Sequence, residues 1–530
     1  MTQAKKIQAI KGVRDILPPE SALWNRVEQI AGDVFATYGF QEIRLPVFEQ
    51  TELFARSVGL DTDIVQKEMY SFEDHDFPDL EKLRAVIVYR NPDIGNSQSV
   101  SLYEDQVTEF IKAFASGLSE KRVPATPDNE RALENLRLHI ARLDFMRQDL
   151  AAGDQNALVR FNLQVVGIRE ALRAIRFGDV ITLRPEATAS VVRAYIEHGM
   201  HTQPGDVKLY YVGPMFRRER PQKGRFRQFY QIGAEALGKG VGIAMDAEVI
   251  AMLMAFFEMC GLSDHTLFIN SIGCRSQECR PAYLAKLRTE LLKVKGSLGA
   301  DSQRRIETNP LRVLDSKIRE EQEVIERLPR ISDNLCVVCR QHYQDLKSIL
   351  TSRGVKFEEN WRLVRGLDYY TETTFEVTVP GLGAQNAICG GGRYDGLVEL
   401  IGGPKFSEIK GIGFAVGEDR LIEAVRDSGK LQGIRPLEVY IAWMGDTLEK
   451  AQELARLLRK NQFGVEVPEA EQRLKKSLSV ASRKGARHAL IIGEDEVTSG
   501  QLTVKRLADG EQKKLSEAEL VEFLKSERRG

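Results

Sequence analysis

No run of about 18 apolar residues, the length that crosses a bilayer, occurs in this chain, although 42% of it is hydrophobic. That absence argues against membrane insertion. Six cysteines spread over 530 residues are too few for a disulfide scaffold, so thiols or metal ligands are expected instead. An excess of one charge is missing too: 75 Lys and Arg stand against 76 Asp and Glu, and any nucleic-acid contact must come from local basic patches. The first residues, MTQAKKIQAIKGVRD, carry neither an apolar signal core nor a cleavage site. A cytoplasmic protein is the expectation. No internal repeat and no low-complexity segment is present.

A chain of 530 residues exceeds one ordinary core, since domains usually run about 100 to 200 residues. Residues 1–80 combine a helical stretch, Trp24 to Tyr38, with an apolar strand, Phe40 to Phe48, broken by Pro46. Residues 81–178 switch to helical spacing, with Val107, Phe110, Ile111, Phe114 and Leu118 followed by Leu133, Leu136, Ile140 and Leu143. They read as an inserted helical module. Strand-like, Gly-rich patterns return over 179–262 and 361–430, separated by a second mainly helical insert at 263–360. After Arg435 and Pro436, the segments LEVYIAW, Leu448 to Arg459, FGVEV and HALIIG alternate as a small α/β domain over 436–530.

The segment 207–238, VKLYYVGPMFRRERPQKGRFRQFYQIGAEALG, reads as strand, polar Pro/Gly loop and strand, which is a hairpin. Alternation along a strand puts Arg225, Arg227, Phe229, Gln231, Gly233 and Glu235 on one face, with Phe226, Tyr230, Ile232 and Ala234 on a core face. Two arginines, a ring, an amide and a carboxylate in line can receive phosphates, a base and a polar substrate. Gly233, Gly238 and Lys239 imitate part of a phosphate-binding loop, but Gly240 stands where a Ser or Thr would hold magnesium.

This hairpin resembles motif 2 of class II aminoacyl-tRNA synthetases. Pro46 in GFQEIRLPVFE is similar to the proline of motif 1, which builds a dimer interface, and GIGFAVGEDRL at 411–421 resembles motif 3, a strand leading into a helix. There Arg420 is expected to share a helix face with Val416, Gly417 and Gly413. LVRGLDYYTETTFEV at 363–377 and AICGGGRYDGLVELIGG at 387–403 resemble the two signature peptides of histidyl-tRNA synthetases. KGVRDILPPE, TLRPEATASVVRAYIEHG at 182–199 and TNPLRVLDSK at 308–317 add further matches in the same order. The resemblance covers almost the whole chain. It implies an α+β architecture: a class II antiparallel-sheet catalytic domain in three parts, two mainly helical inserts and a C-terminal α/β anticodon-binding domain.

The activity so implied is activation of L-histidine with ATP and Mg2+, then transfer to the 3′-terminal ribose of tRNA(His), by a homodimer. A pocket for histidine needs acceptors, a cation and groups that pair both ring nitrogens, and Glu186, Thr188, Gln231, Glu235, Arg365, Tyr369 and Tyr370 supply that inventory. By resemblance Glu186, Thr188 and Gln231 hold the amino-acid end, and Glu235 and Tyr370 read the imidazole. The same resemblance assigns Arg217 to the α-phosphate, Arg225 and Arg420 to the outer phosphates, Glu219 to the ATP site and Phe229 to the adenine. Arg365 is expected beside the α-phosphate opposite Arg217, and Gln222 and Arg227 near the tRNA acceptor end. Two positions depart from the family pattern: Ala187 replaces a common glycine, and Glu372 is acidic where relatives are often neutral or basic.

In the C-terminal domain Arg473, Lys475, Lys476, Arg483, Lys484 and Arg487 form a cluster able to track phosphates. Cys336 and Cys339 have zinc-knuckle spacing, while the gap between Cys274 and Cys279 is looser, leaving a structural zinc and reduced thiols as the two readings. The family also includes paralogues that lost aminoacylation and serve as regulatory subunits in histidine biosynthesis. Those generally lose the anticodon-binding domain and the ATP-binding arginines, both of which this sequence keeps.

Overall fold

The computed structural model describes residues 7–529 except 60, 61, 63, 76, 94–96, 121, 122, 152–155, 222, 223, 384, 385, 404–408 and 432–436. The chain divides into two compact units, one made of residues 1–14, 34–258 and 263–424, the other of residues 15–33, 259–262 and 425–530.

In the larger unit the strands, in chain order, are β1 (Gln41–Glu42), β2 (Phe48–Gln50), β3 (Tyr70–Asp74), β4 (Asp179–Leu183), β5 (Val207–Phe216), β6 (Gln228–Gly238), β7 (Thr266–Ser271), β8 (Glu358–Glu359), β9 (Thr371–Thr378), β10 (Ala387–Arg393) and β11 (Lys410–Gly417). Among the described residues they form an eight-stranded sheet in the order β1-β5-β6-β11-β10-β9-β7-β8 and a three-stranded sheet β2-β4-β3. The eight-stranded sheet is antiparallel except where β1 joins β5 and β8 joins β7 at its edges. An antiparallel sheet of this kind can bury one face and leave the other for ligands.

The expected single strand from Phe40 to Phe48 is instead two short strands in different sheets: β1 pairs with β5 and β2 with β4. Pro46 lies between them, where the chain changes sheets and no ladder needs its missing N–H. Buried Arg184 fixes that crossing, donating to the carbonyls of Leu45 at 3.0 Å, Pro46 at 3.2 Å and Pro214 at 2.9 Å. Gly213 makes room for it, since a Cβ there would meet Arg184 at 2.5 Å.

Residues 78–174 are mainly helical, with helices Pro78–Tyr89, Ser97–Ser119, Pro127–Ala151 and Ala157–Ala174. Their apolar stripes close on a core of their own, in which Phe110, Phe114, Phe161, Leu136 and Ile168 are fully buried beside Phe177. The second insert carries helices Arg280–Lys293, Ala300–Thr308, Leu311–Leu314, Arg319–Glu326 and Val337–Ser352. The buried leucines and isoleucines of the first four share one cluster with Tyr369, Tyr370 and Tyr394.

In the smaller unit β12 (Val439–Trp443), β13 (Val465–Glu466), β14 (His488–Ile492), β15 (Leu502–Arg506) and β16 (Gln512–Leu515) form a sheet in the order β13-β12-β14-β15-β16. The helix Leu448–Lys460 buries Ala451, Leu454, Ala455 and Leu458, a stripe at helical spacing. The expected boundary at Arg435 and Pro436 lies outside the described residues.

Candidate active site

The middle of the eight-stranded sheet is rich in glycine, and the neighbours of those glycines define the site. Registers place Gln231 of β6 opposite Gly417 of β11, Gly233 opposite Ala415, and Glu235 opposite Gly413. On the other side of β11, Gly390 and Gly392 of β10 face Ala415 and Gly413. A Cβ on Gly413 would lie 1.7 Å from the Glu235 carboxylate, one on Gly233 2.3 Å from Tyr211, and one on Gly390 1.9 Å from the Arg365 guanidinium. These glycines are the floor over which functional side chains lie, so their lack of a side chain is a packing requirement.

At one end of this floor stands a buried carboxylate pair. Glu186, at the start of the helix Thr188–Glu197, accepts the amide N–H of Thr188 at 2.7 Å and of Ala189 at 3.1 Å. Glu235 is fully buried and accepts the Thr188 hydroxyl and the Tyr394 hydroxyl, each at 2.6 Å. Burial pushes the Glu235 carboxyl up to about 8, against those two hydrogen bonds, and the neighbouring Glu186 adds to the shift. Burial also raises Glu186, although two amide hydrogen bonds and Arg217 oppose it. Tyr369 approaches Glu186 at 3.5 Å and packs against Tyr370 and Tyr394, with ring centroids 4.7 and 5.9 Å away. Two polar atoms here are buried without partners among the described residues, Oε1 of Gln231 and the hydroxyl of Tyr211. Unmet groups of this kind are what a polar ligand would satisfy.

Beyond Gln231 the floor opens into a cavity of about 220 Å3 lined by Arg217, Arg225, Arg365 and Arg420 with Glu219, Phe229 and Glu376. Arg217 donates to the Pro185 carbonyl at 2.9 Å and sets its guanidinium 5.2 Å from the centre of the Phe229 ring. Glu219 lies 3.2 Å from Arg225 and 3.9 Å from Arg217. Arg365 pairs with Glu376 at 2.9 Å, while its Nε has no hydrogen-bond partner among the described residues. Arg420 donates to the carbonyls of Gly224 at 3.1 Å and Ala387 at 2.7 Å. Burial, together with the neighbouring Arg225, pulls the Arg420 guanidinium below its ordinary value. Four cations around one cavity with fewer carboxylates leave a site short of negative charge.

Several assignments change. The ladder of β6 begins at Gln228, so strand alternation does not govern Arg225, Phe226 or Arg227. Phe226 is half-buried under the Arg14 guanidinium, 5.0 Å from its ring centre, and Tyr230 is also half-buried, so neither belongs to the interior with Ile232 and Ala234. Arg227 is held by backbone: its N–H donates to Gly12 O at 2.7 Å and its Nε to Glu219 O at 3.4 Å. Gln222 lies outside the described residues. Arg420 belongs to the helix Glu418–Ser428, whereas Gly413, Val416 and Gly417 belong to β11, so they share no helix face. Ala187, 1% exposed, forms part of the core beside Tyr211 and Tyr369.

Sequence reasoning passed over Tyr211, Tyr394, Glu376 and Asp419. Tyr394 was within reach, because it lies inside the GGGRYDG peptide. Asp419 joins three separated peptides: it accepts from Arg14 at 3.1 Å and from the Tyr230 amide at 3.1 Å. TNPLRVLDSK braces the loop after Arg365, through Asn309 to Asp368 at 3.0 Å and Arg312 to Gly366 O at 2.8 Å.

Elsewhere in the larger unit the four sulfurs of Cys274, Cys279, Cys336 and Cys339 lie within 4.8 Å of one another, and no disulfide links them. In the smaller unit Arg473, Lys475, Lys476, Arg483, Lys484 and Arg487 are all exposed on and around the helix Leu474–Arg483, whose other side buries Ser477 and Ala481. Lys484 is paired with Glu466. Among the described residues no helix is long and apolar enough to cross a membrane.

An antiparallel sheet with a motif 2 hairpin, a strand-to-helix motif 3 and arginines converging on one cavity defines the catalytic domain of a class II aminoacyl-tRNA synthetase. Residues 167–421 match the family model described as histidyl-tRNA synthetase, and residues 438–527 match the anticodon binding domain. Histidine--tRNA ligases of Solibacter usitatus and Koribacter versatilis are 41% and 42% identical to this chain, over 97% and 98% of it and 98% and 96% of theirs. The crystal structure of apo histidyl-tRNA synthetase from S. aureus matches with a TM-score of 0.64 at 29% identity, covering 98% of this chain and all of that one. The chain belongs to the histidyl-tRNA synthetase family.

Proposed function

We infer that the buried carboxylate pocket and the arginine-lined cavity together bind L-histidine and ATP, with the histidine carboxylate directed at the α-phosphate. The enzyme is an aminoacyl-tRNA ligase that joins histidine to its tRNA. The observation carrying the residue assignment is continuity: Gln231 belongs to the cavity lining, lies two residues from Gly233 along β6, and leads from the arginines to Glu235. Glu186, Thr188 and Gln231 would take the ammonium end, and Glu235 with Tyr370 the imidazole. Arg217 and Arg365 would flank the α-phosphate, Arg225 and Arg420 the outer phosphates, and Phe229 the adenine. Glu219, on the cavity wall, would face magnesium carried in with the ATP, an ion that would offset charge on the phosphates. Fixed guanidinium groups suit this task because arginine stays charged and its fork of donors matches phosphate oxygens.

Arg227, close in sequence to Gln222, would meet the tRNA acceptor end, and the exposed cations around Leu474–Arg483 suit the anticodon arm. The crossing at Pro46 is assigned to the interface of a homodimer, and the four cysteines to a structural zinc. A cytoplasmic setting suits tRNA chemistry. The regulatory-paralogue reading is disfavoured because Arg217, Arg225, Arg365 and Arg420 line one cavity and the anticodon-binding domain is present.

The test is ATP–pyrophosphate exchange with each of the twenty amino acids. Exchange supported by histidine and magnesium without tRNA is expected; exchange with a different amino acid, or none, overturns the reading.

A further inference from the structure

The four clustered cysteines lie next to the histidine pocket in space, and their surroundings indicate what a metal there would do. Cys274 follows β7, Cys279 precedes the helix Arg280–Lys293, and Cys336 and Cys339 begin the helix Val337–Ser352. Helix N-termini favour thiolates, the form that binds metal. The Cys336 amide points at the Cys279 sulfur at 3.5 Å, a donor placed to stabilise a thiolate. Four thiolates around a tetrahedral zinc at about 2.3 Å would stand roughly 3.8 Å apart. Cys274 and Cys336 are separated by 3.9 Å. Gly273 has φ +67°, and a Cβ there would stand 2.8 Å from the Cys279 sulfur, so the turn is built around the cluster.

Three hydrogen bonds carry the cysteine loop directly onto the pocket. Arg280, adjacent to Cys279, donates to the Tyr370 carbonyl at 2.9 Å. Glu372 donates its N–H to Gly273 O at 3.0 Å, and its carbonyl accepts from Ile272 at 2.8 Å. Glu372 has φ +48°, a left-handed conformation that a residue with a side chain keeps only when its surroundings impose it. Tyr369 and Tyr370 lie just before it in the chain, with Thr371 between.

We propose that Cys274, Cys279, Cys336 and Cys339 hold a zinc ion that positions Tyr369 and Tyr370 for histidine, through Arg280 and the strained peptide at Glu372. Zinc is preferred to a reactive thiol set because the four sulfurs come from two chain segments far apart in sequence, 274–279 and 336–339, and lie within 4.8 Å of one another. The proposal rests on the synthetase reading for its effect on histidine, but not for the metal itself.

The test separates the two. Protein purified without added metal should contain about one zinc per chain, and Cys336→Ser with Cys339→Ser should abolish it. Cobalt grown into the site should give the charge-transfer and d–d absorption of a tetrahedral thiolate complex. Loss of zinc should raise the KM for histidine roughly tenfold, the order expected when support of a ligand is removed, and leave the KM for ATP near its parent value. Because the double variant could fold poorly, Arg280→Ala is the second arm. It should keep its zinc, keep its thermal midpoint within a few degrees and still raise the histidine KM. Metal-free protein as isolated, or iron in place of zinc, overturns the site. A histidine KM unmoved by Arg280→Ala, or an equal rise for ATP, overturns the positioning role. Zinc bound by a chain that activates no amino acid would leave the metal site standing and overturn the synthetase reading instead.

Discussion

Arg365 lies across Gly390, so close that a Cβ at that position would fall 1.9 Å from its Nη2. The two come from different signature peptides, and β9 and β10 bring them together, with Gly390 paired to Glu376, the ion-pair partner of Arg365. The glycine thus sets where the guanidinium can lie over the cavity. Gly390→Ala should displace Arg365 without removing its charge. Histidine-dependent exchange should fall by about 10² or more, close to the loss expected for Arg365→Ala, since either change removes one fixed donor from the transition state. Unfolding should remain cooperative. An alanine variant with parental turnover would show that the guanidinium does not need that position.

Tyr394 and Glu235 form a second dependence. The hydroxyl donates at 2.6 Å to a fully buried carboxyl, and Gly411 leaves room for the ring, since a Cβ there would come within 2.2 Å of it. Tyr394→Phe preserves the ring and removes the donor, leaving Glu235 with Thr188 alone. Losing a hydrogen bond to a buried carboxyl costs about 1.5 to 3 kcal/mol. The KM for histidine should rise at least about tenfold, with ATP affinity little changed. Steady-state exchange kinetics with each substrate varied in turn distinguish this from a general loss of activity.

Glu235 also makes stability depend on pH. Its folded-state value of about 8 lies above the ordinary 4.5, so between these limits the folded protein holds a proton that the unfolded chain has released. Stability from this group is therefore present below the lower limit, falls as pH rises through the window, and levels off above the upper one. Glu235→Gln removes that titration while keeping shape and polarity. Its thermal midpoint, followed across the window, should decline less steeply than the parent's. Parallel curves would mean that Glu235 is ionised in the folded protein.

Where a periodic pattern and its environment coincide, the sequence was readable. In β6, Phe229, Gln231 and Glu235 share the ligand face, with Ile232 and Ala234 fully buried on the other. The rule failed two to four residues before Phe229, because Arg225, Phe226 and Arg227 precede the ladder and are placed by Glu219, Arg14 and Gly12. It failed again at Phe40 to Phe48, where one apolar run serves two sheets. What crowds each glycine was hidden for a different reason: the neighbour comes from another strand, as Arg365 does to Gly390 and Tyr211 to Gly233. Only the strand order supplies that contact. The cysteines were ambiguous because spacing describes pairs, whereas their convergence depends on how β7 and two helices pack.

The helical insert presents the last prediction, because the structure locates both of its ends. β3 and β4 are antiparallel neighbours, with Asp74 paired to Asp179, so the strands on either side of the insert already meet. Gly178 is pressed against Asp74, whose carbonyl oxygen would be 1.8 Å from a Cβ there, leaving no space for a side chain at the seam. Between these ends the helices close on their own core around Phe110, Phe114 and Phe177. Closing a longer loop between residues already in contact costs only about 0.6 kcal/mol per doubling, so the insert can be carried without deforming the strands that hold it. Phe177 belongs to the insert's core, so a deletion must remove it as well or leave an exposed ring. Replacing residues 76–177 by Asn-Gly, the pair suited to a tight hairpin turn, should keep β3 and β4 in register. Arg84 and Arg176, which meet Glu73 across the seam, would be lost with the insert, leaving one carboxylate at the surface. A lone exposed carboxylate costs little. Histidine-dependent exchange should therefore stay within about tenfold of the parent, a change of no more than ~1.4 kcal/mol in the barrier. Collapse of exchange in a deletion variant that still unfolds cooperatively would show that the insert supports the catalytic sheet directly.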